Sequence, residues 1–285
     1  MNNIVPDQLD LFVADLIDVA PKSDMTSMEF PIFSLSNRVD KEIYKYENAK
    51  NGAVLEVIPS TVGRATIHDK DILLYCFSQL AEANNRKMPI SRKIHMTAYD
   101  YLKMTRRATS GKDYKDLGNA LLRLRGTTIK TNISKDGFGE KLDVFGLIDT
   151  GQAITDEKGR LVNVEIVLSE QLYSAITNNN ILTYNPNYFD LRSPNERRLY
   201  EIARKHCGNQ TKFEISFENL HNKFGTKVEL REFRRKFKTI VERQEIPDYF
   251  IQLYDKKTTG TVEKVIIFKD MKAELKEEYR KLTKK

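Results

Sequence analysis

The chain has 285 residues, enough for one large or two medium domains that each bury a core. Its 47 lysines and arginines against 40 aspartates and glutamates leave a formal charge of +7, a modest excess whose placement says more than its size. Cys76 and Cys207 stand far apart inside apolar helical patterns, which excludes a disulfide scaffold and fits a reduced, cytoplasmic protein.

Residues 1–27 read as a flexible tail, acidic through Asp7, Asp10, Asp15, Asp18 and Asp24, ending in the polar run from Pro21 to Ser27. The start of the chain lacks the basic segment of a secretion signal. No apolar run approaches the roughly 20 residues that cross a bilayer, so no membrane is expected among the partners. Within the tail, Gln8-Leu9-Asp10-Leu11-Phe12 resembles the bacterial sliding-clamp-binding motif at all five positions. In a docking peptide of this kind, Leu11 and Phe12 fill an apolar pocket, Leu9 adds contact area and the Gln8 amide fixes the register. The same stretch also reads as an amphipathic helix, because Leu9, Phe12, Leu16 and Val19 share a helical face that could dock on the body or on a second subunit.

A first domain is expected over residues 28–175. Order begins near Phe30, and strand-like pieces at Ile43–Glu47 and Val54–Pro59 flank the Asn51-Gly52 turn signal. The spacing predicts a helix from about Asp69 to Asn84, with Ile72, Leu73, Cys76, Phe77 and Leu80 inward. A strand at Ile94–Met96, a helix from Thr97 and a basic helix from Lys112 to Arg125 follow. Thr127–Ile133, Val144–Ile148 and Leu161–Leu168 then read as the strands of a β-wing.

A second domain, residues 176–285, repeats the plan. Ser193-Pro194-Asn195-Glu196 combines a capping box with proline at the first helical position, and Gly208 is a C-terminal stop. Lys212–Ile215, a helix from Ser216, the Gly225-Thr226 turn and a basic helix from Val228 to Arg243 match the first copy. Tyr249–Tyr254 and Thr261–Phe268 are alternating strands around a turn bearing Lys256 and Lys257. The charged segment 270–285 reads as a solvated helix.

The two basic helices carry the same apolar spacing, Tyr114, Leu117, Leu121, Leu124 against Leu230, Phe233, Phe237, Ile240. At about 100° per residue, Arg231, Arg235 and Lys238 point away from that stripe, with Arg234 on its border. The outward set of the first helix is Lys112, Lys115, Asn119 and Arg123. Arginine suits guanine edges and asparagine adenine edges in the major groove, whereas lysine more often meets phosphate. Arg231, Arg235 and Asn119 are therefore expected base readers, and Lys112, Lys115, Arg234 and Lys238 phosphate contacts. Charge opposite a core stripe also marks any solvated helix. The repetition of the whole unit favours two DNA-reading heads. Leu122 outside the stripe, with Asp113 and Asp116, leaves room for a protein interface on the first helix.

Phe30-Pro31-Ile32-Phe33-Ser34-Leu35-Ser36, Arg64-Ala65-Thr66-Ile67, Gly111-Lys112-Asp113-Tyr114, Thr127–Ile133 and Leu199–His206 together resemble the plasmid replication initiator protein A family over residues 28–255. The resemblance implies an α+β protein with two tandem winged-helix domains. Such a protein binds direct repeats (iterons) in double-stranded origin DNA and opens the origin for theta replication. The expected partners are origin DNA, the sliding clamp, a host initiator or helicase, and a second copy in a regulatory homodimer.

Catalytic signals are missing. His68, His95, His206 and His221 form no His-x-His pair, there is no P-loop, and no Cys/His spacing resembles a zinc site. The expectation is a binder with no cofactor, metal or catalytic residue. The alternatives are a double winged-helix autorepressor and, against the missing His pair, a nicking initiator. A simple repressor has no use for a clamp ligand, which separates the first of these from an initiator.

Overall fold

The computed structural model describes residues 11–48, 52–134, 137–254 and 263–269. The chain begins with β1 (Leu11–Val13), β2 (Lys22–Asp24), α1 (Met25–Glu29), β3 (Tyr44–Asn48) and β4 (Ala53–Ile58). It continues through α2 (Lys70–Asn85), β5 (Lys93–Thr97), α3 (Ala98–Met104), α4 (Gly111–Gly126), β6 (Thr128–Ser134) and β7 (Gly137–Gly146). Next come β8 (Ile148–Thr155), β9 (Leu161–Leu168), α5 (Glu170–Thr177), β10 (Ile181–Thr183) and a 3-10 turn at Pro186–Asp190. The last elements are α6 (Pro194–Cys207), β11 (Lys212–Ser216), α7 (Phe217–Phe224), α8 (Leu230–Arg243), β12 (Tyr249–Tyr254) and β13 (Lys264–Lys269).

The protein is α+β and divides into two compact units. One combines the segment up to Asp24 with Ser36–Thr183; the other combines Met25–Leu35 with the chain from Tyr184 onward. Within each unit one set of elements recurs in the same order: helix, strand, helix, helix and a final strand pair, with β6 and β7 inserted before that pair in the first unit. In the first unit these are α2, β5, α3, α4, β8 and β9, and in the second α6, β11, α7, α8, β12 and β13. The sheets agree too, β5-β9-β8 against β11-β13-β12, all antiparallel.

Local chemistry sets the shared frame. Thr97 closes β5 and caps α3, its hydroxyl accepting from Asp100 N at 3.0 Å. Ser216 does the same for β11 and α7, accepting from Asn219 N at 3.2 Å. Both are side-chain oxygens satisfying donors that a helix start leaves open. Gly225 ends α7 with φ of 63°, a left-handed conformation that glycine adopts without a Cβ clash. Helix α6 starts at Pro194 and stops at Gly208, but the Ser193 side chain makes no capping bond.

The cores follow the apolar spacing. Ile72, Leu73, Cys76, Phe77 and Leu80 of α2 are all buried, as are Leu117, Leu121 and Leu124 of α4 and Phe233, Phe237 and Ile240 of α8. Each such side chain contributes about 1.5–3 kcal/mol on burial, so these stripes fix which helix face turns inward. In the second unit Phe233 touches Phe217, Phe224 and Phe237, at centroid separations of 5.3, 4.9 and 5.9 Å.

Three expectations are corrected. Residues 11–27, read as part of a flexible tail, are folded. β1 pairs parallel with β5, β2 pairs with β10, and α1 belongs to the second unit. Segments of three to five residues carry no periodicity, so nothing in their sequence announces this. The boundary at 175–176 also moves, because α5 and β10 stay with the first unit. Finally, β6 and β7, expected as wing strands, do not pair with β8 or β9; they extend the β3-β4 hairpin into a separate sheet of order β3-β4-β6-β7. Alternation identifies a strand but not its neighbour. The Lys256–Gly260 turn and the segment 270–285 lie outside the described residues.

Candidate nucleic-acid interface

On α8, Arg231, Arg235 and Lys238 are exposed and share one face opposite Phe233, Phe237 and Ile240. Arg235 bonds Glu232 one turn back through Nε and Nη2, both at 2.8 Å, with both partners solvated. A surface pair of this kind is worth about 0–1 kcal/mol, so releasing Arg235 to a ligand costs little. The same bond holds the exposed Glu232 carboxyl below its usual range.

Arg234 is placed differently from its expected role as a phosphate contact. Its Nε reaches both carboxylate oxygens of Glu263, at 2.8 and 2.9 Å, and its guanidinium lies 5.3 Å from the Phe217 ring centroid. Glu263 is buried. The arginine is committed to the protein, and this bond raises its pKa further. Lys256 and Lys257 fall outside the described residues.

On α4, Lys112, Lys115 and Asn119 are exposed, but Arg123 is not part of their face. Its Nε and Nη2 each sit 2.7 Å from an oxygen of Asp69, just ahead of α2. Leu122, at 59% exposure, takes the outward position beyond Asn119. Asp113 is tied to the cap residue Ser110, which lowers its pKa and secures the first turn of α4. The α4 surface is therefore short of cations relative to α8.

The Asp69 anchor also explains two of the distinctive sequence strings. Asp69 accepts from Thr66 N at 2.8 Å, and Ala65 N donates to Thr127 Oγ1 at 2.8 Å. Arg64–Ile67 and Thr127 thus form one packed corner between the entry to α2 and the exit of α4. Asp69 and Glu263 carry no local signal of these roles, because their partners lie 54 and 29 residues away.

Of the amino-terminal pentapeptide, Gln8, Leu9 and Asp10 lie outside the described residues. Phe12 is 6% exposed in the first unit, whereas Leu11 is 41% exposed. The strand is held beyond its pairing: Ala14 N donates to His95 O at 2.8 Å, and the Tyr75 hydroxyl donates to Ala14 O at 3.0 Å. Gln79 then brackets Leu16, accepting from its N and donating to its O, both at 2.9 Å. This is neither a free peptide nor an amphipathic helix at Leu11–Val13.

Burial pushes the Cys76 thiol up to about 12 and that of Cys207 up to about 11, so neither supplies a thiolate nucleophile near neutrality. Among the described residues no three His, Cys, Asp or Glu side chains gather as metal ligands. No helix among them is long and apolar enough to cross a membrane.

Two α+β units that share one core arrangement, each presenting a surface helix behind a strand–helix pair, define the class. The replication initiator protein A model matches residues 22–251, and the chain belongs to that family. It is 40% identical over 248 residues to a protein of Wigglesworthia glossinidia brevipalpis named "Putative replication protein", covering 85% of this chain and 89% of the relative. Two crystal structures of domains 2 and 3 of RctB share the fold. One superposes with a TM-score of 0.64 at 14% identity, over 88% of this chain and 99% of the other. The second gives 0.52 at 16% identity, over 88% and 98%.

Proposed function

We propose that this replication initiator is a plasmid protein that binds double-stranded origin DNA sequence-specifically and acts by binding, not catalysis. Each unit is read as a winged helix: α3–α4 and α7–α8 are the helix-turn-helix pairs, and β8–β9 and β12–β13 the wings. The observation that carries the reading is the face of Arg231, Arg235 and Lys238 on α8, solvated and opposite an aromatic core stripe. Guanidinium groups there can meet guanine edges while lysine meets phosphate. On α4, Lys112, Lys115 and Asn119 form the weaker counterpart, and the exposed Leu122 suits a protein partner such as a host initiator or helicase.

The target is read as the direct repeats of a plasmid origin. A plasmid bearing the DNA that flanks this gene should replicate when the protein is supplied in trans. Loss of replication on combined Arg231→Ala and Arg235→Ala substitution, with the fold intact, is the expected result. Undiminished replication by that variant refutes the assignment of α8.

Sliding-clamp binding by Gln8–Phe12 is retained as a proposal with one condition. Phe12 cannot occupy a clamp pocket while it is buried with β1 paired to β5, so docking requires β1 to leave the sheet. A peptide of residues 5–16 that fails to compete with a known clamp ligand in fluorescence anisotropy removes the clamp from the partner list.

A further inference from the structure

Glu263 stitches three elements of the second unit together. It directly precedes β13, and its backbone oxygen accepts from Phe217 N, the first residue of α7, at 2.9 Å. Its carboxylate receives Arg234 of α8 on both oxygens. The Arg234 guanidinium in turn lies over the Phe217 ring. Aromatic contacts of Phe233 and Phe237 choose the face of α8 that turns inward, and the Arg234 bond adds a directional tie beside them. A forked bond to a carboxylate that is itself anchored by main chain fixes direction as well as distance. Arg234 lies one turn from Arg231 and adjoins Arg235, so what fixes Arg234 fixes the phase of both exposed arginines.

We propose that Arg234 and Glu263 are positioning residues: the pair sets the rotation of α8 and its height above the β12–β13 hairpin, and thereby the register in which Arg231 and Arg235 meet base edges. This rests on the DNA-binding reading of α8. Neither residue touches the duplex.

The competing role, Arg234 as a phosphate contact, predicts a different outcome for each of two conservative variants. The probe is a labelled duplex selected by the wild-type chain from a random pool, compared with its scrambled sequence at several salt concentrations, well below the thermal transition. Under the positioning role, Arg234→Lys keeps the charge but loses the fork, and Glu263→Gln keeps the volume but weakens the tie. Both should lose about tenfold in preference for the selected duplex, the scale of a coupled network interaction. Binding to the scrambled duplex and the salt slope should stay unchanged. Combining the two should cost no more than either alone. If Glu263→Gln instead tightens both duplexes and steepens the salt slope by about one phosphate, or Arg234→Lys binds as wild type, the positioning role is overturned. A wild-type chain that selects no duplex overturns it together with the DNA-binding reading, whereas wild-type selection with unaffected variants sinks the positioning role alone.

Discussion

The guanidinium of Arg123 grips both oxygens of Asp69, two contacts of 2.7 Å that pin the last turns of α4 to the entry of α2. Helical phase alone turns Arg123 outward among the DNA contacts. Its reach and a buried carboxylate turn it back. A forked pair to a carboxylate at 5% exposure is worth more inside the protein than one screened phosphate contact outside it.

Arg123→Ala should therefore act on stability. Leaving Asp69 without its partner costs about 1–3 kcal/mol, read as a lower denaturant midpoint with an unchanged slope. The salt dependence of DNA binding, measured where the variant is fully folded, should not shift. A salt slope reduced by about one would return Arg123 to the DNA surface.

The α8 face should behave in the reverse way. Arg235→Ala is expected to leave thermal stability within about 0.5 kcal/mol, since only a solvated pair is lost. It should weaken specific binding by about 1–3 kcal/mol and relax preference at one base pair. Lys238→Ala should weaken selected and scrambled duplexes alike and reduce the salt slope by about one. A uniform loss for Arg235→Ala would reassign it to phosphate.

Acid should loosen the second unit through Glu29. Burial alone would raise its pKa, but Lys223 and His206, the latter with Nε2 3.1 Å from Oε2, bring it down from 4.5 to about 2. A carboxyl lowered in the folded state contributes stability that is complete above 4.5 and lost as pH falls toward about 2. Glu29→Gln should then be less stable than wild type at neutral pH by about 1–3 kcal/mol. The gap should close across that acidic window in urea melts, and a gap independent of pH would contradict the assignment.

Phe12 provides a test of order against docking. Phe12→Ala should destabilise the first unit by about 3–4 kcal/mol, in the lower part of the range for buried aromatic truncation because β1 is an edge strand. If the sliding clamp does bind the pentapeptide, the free peptide should bind more tightly than the full chain, which must first release β1. Equal affinities would show that β1 costs nothing to detach.

Much of the frame was legible because it depends on short-range period. The spacing Leu230, Phe233, Phe237, Ile240 identifies the inner face of α8, and Arg231, Arg235 and Lys238 follow on its outer face from 100° per residue. Thr97 and Ser216 mark matching strand-to-helix corners for an equally local reason, a hydroxyl within reach of an amide three residues on. The sharing of β6 and β7 with β3 and β4 was not legible, since several sheets can accept the same alternating strand.

The sequence by itself determined a duplicated α+β plan, the phase of its basic helices and the strings that place the chain in its family. These are properties of neighbours along the chain. Only the tertiary structure decided which arginines remain available. Arg235 leans on a solvated glutamate one turn away, whereas Arg123 and Arg234 are claimed by Asp69 and Glu263 from distant segments. It also decided that Phe12 is core, because an edge of β5 stood open to a strand that no local pattern announces. The physical reason is common to all three. Ion pairing and strand pairing act through space, and their free energy depends on a partner whose position the fold alone supplies.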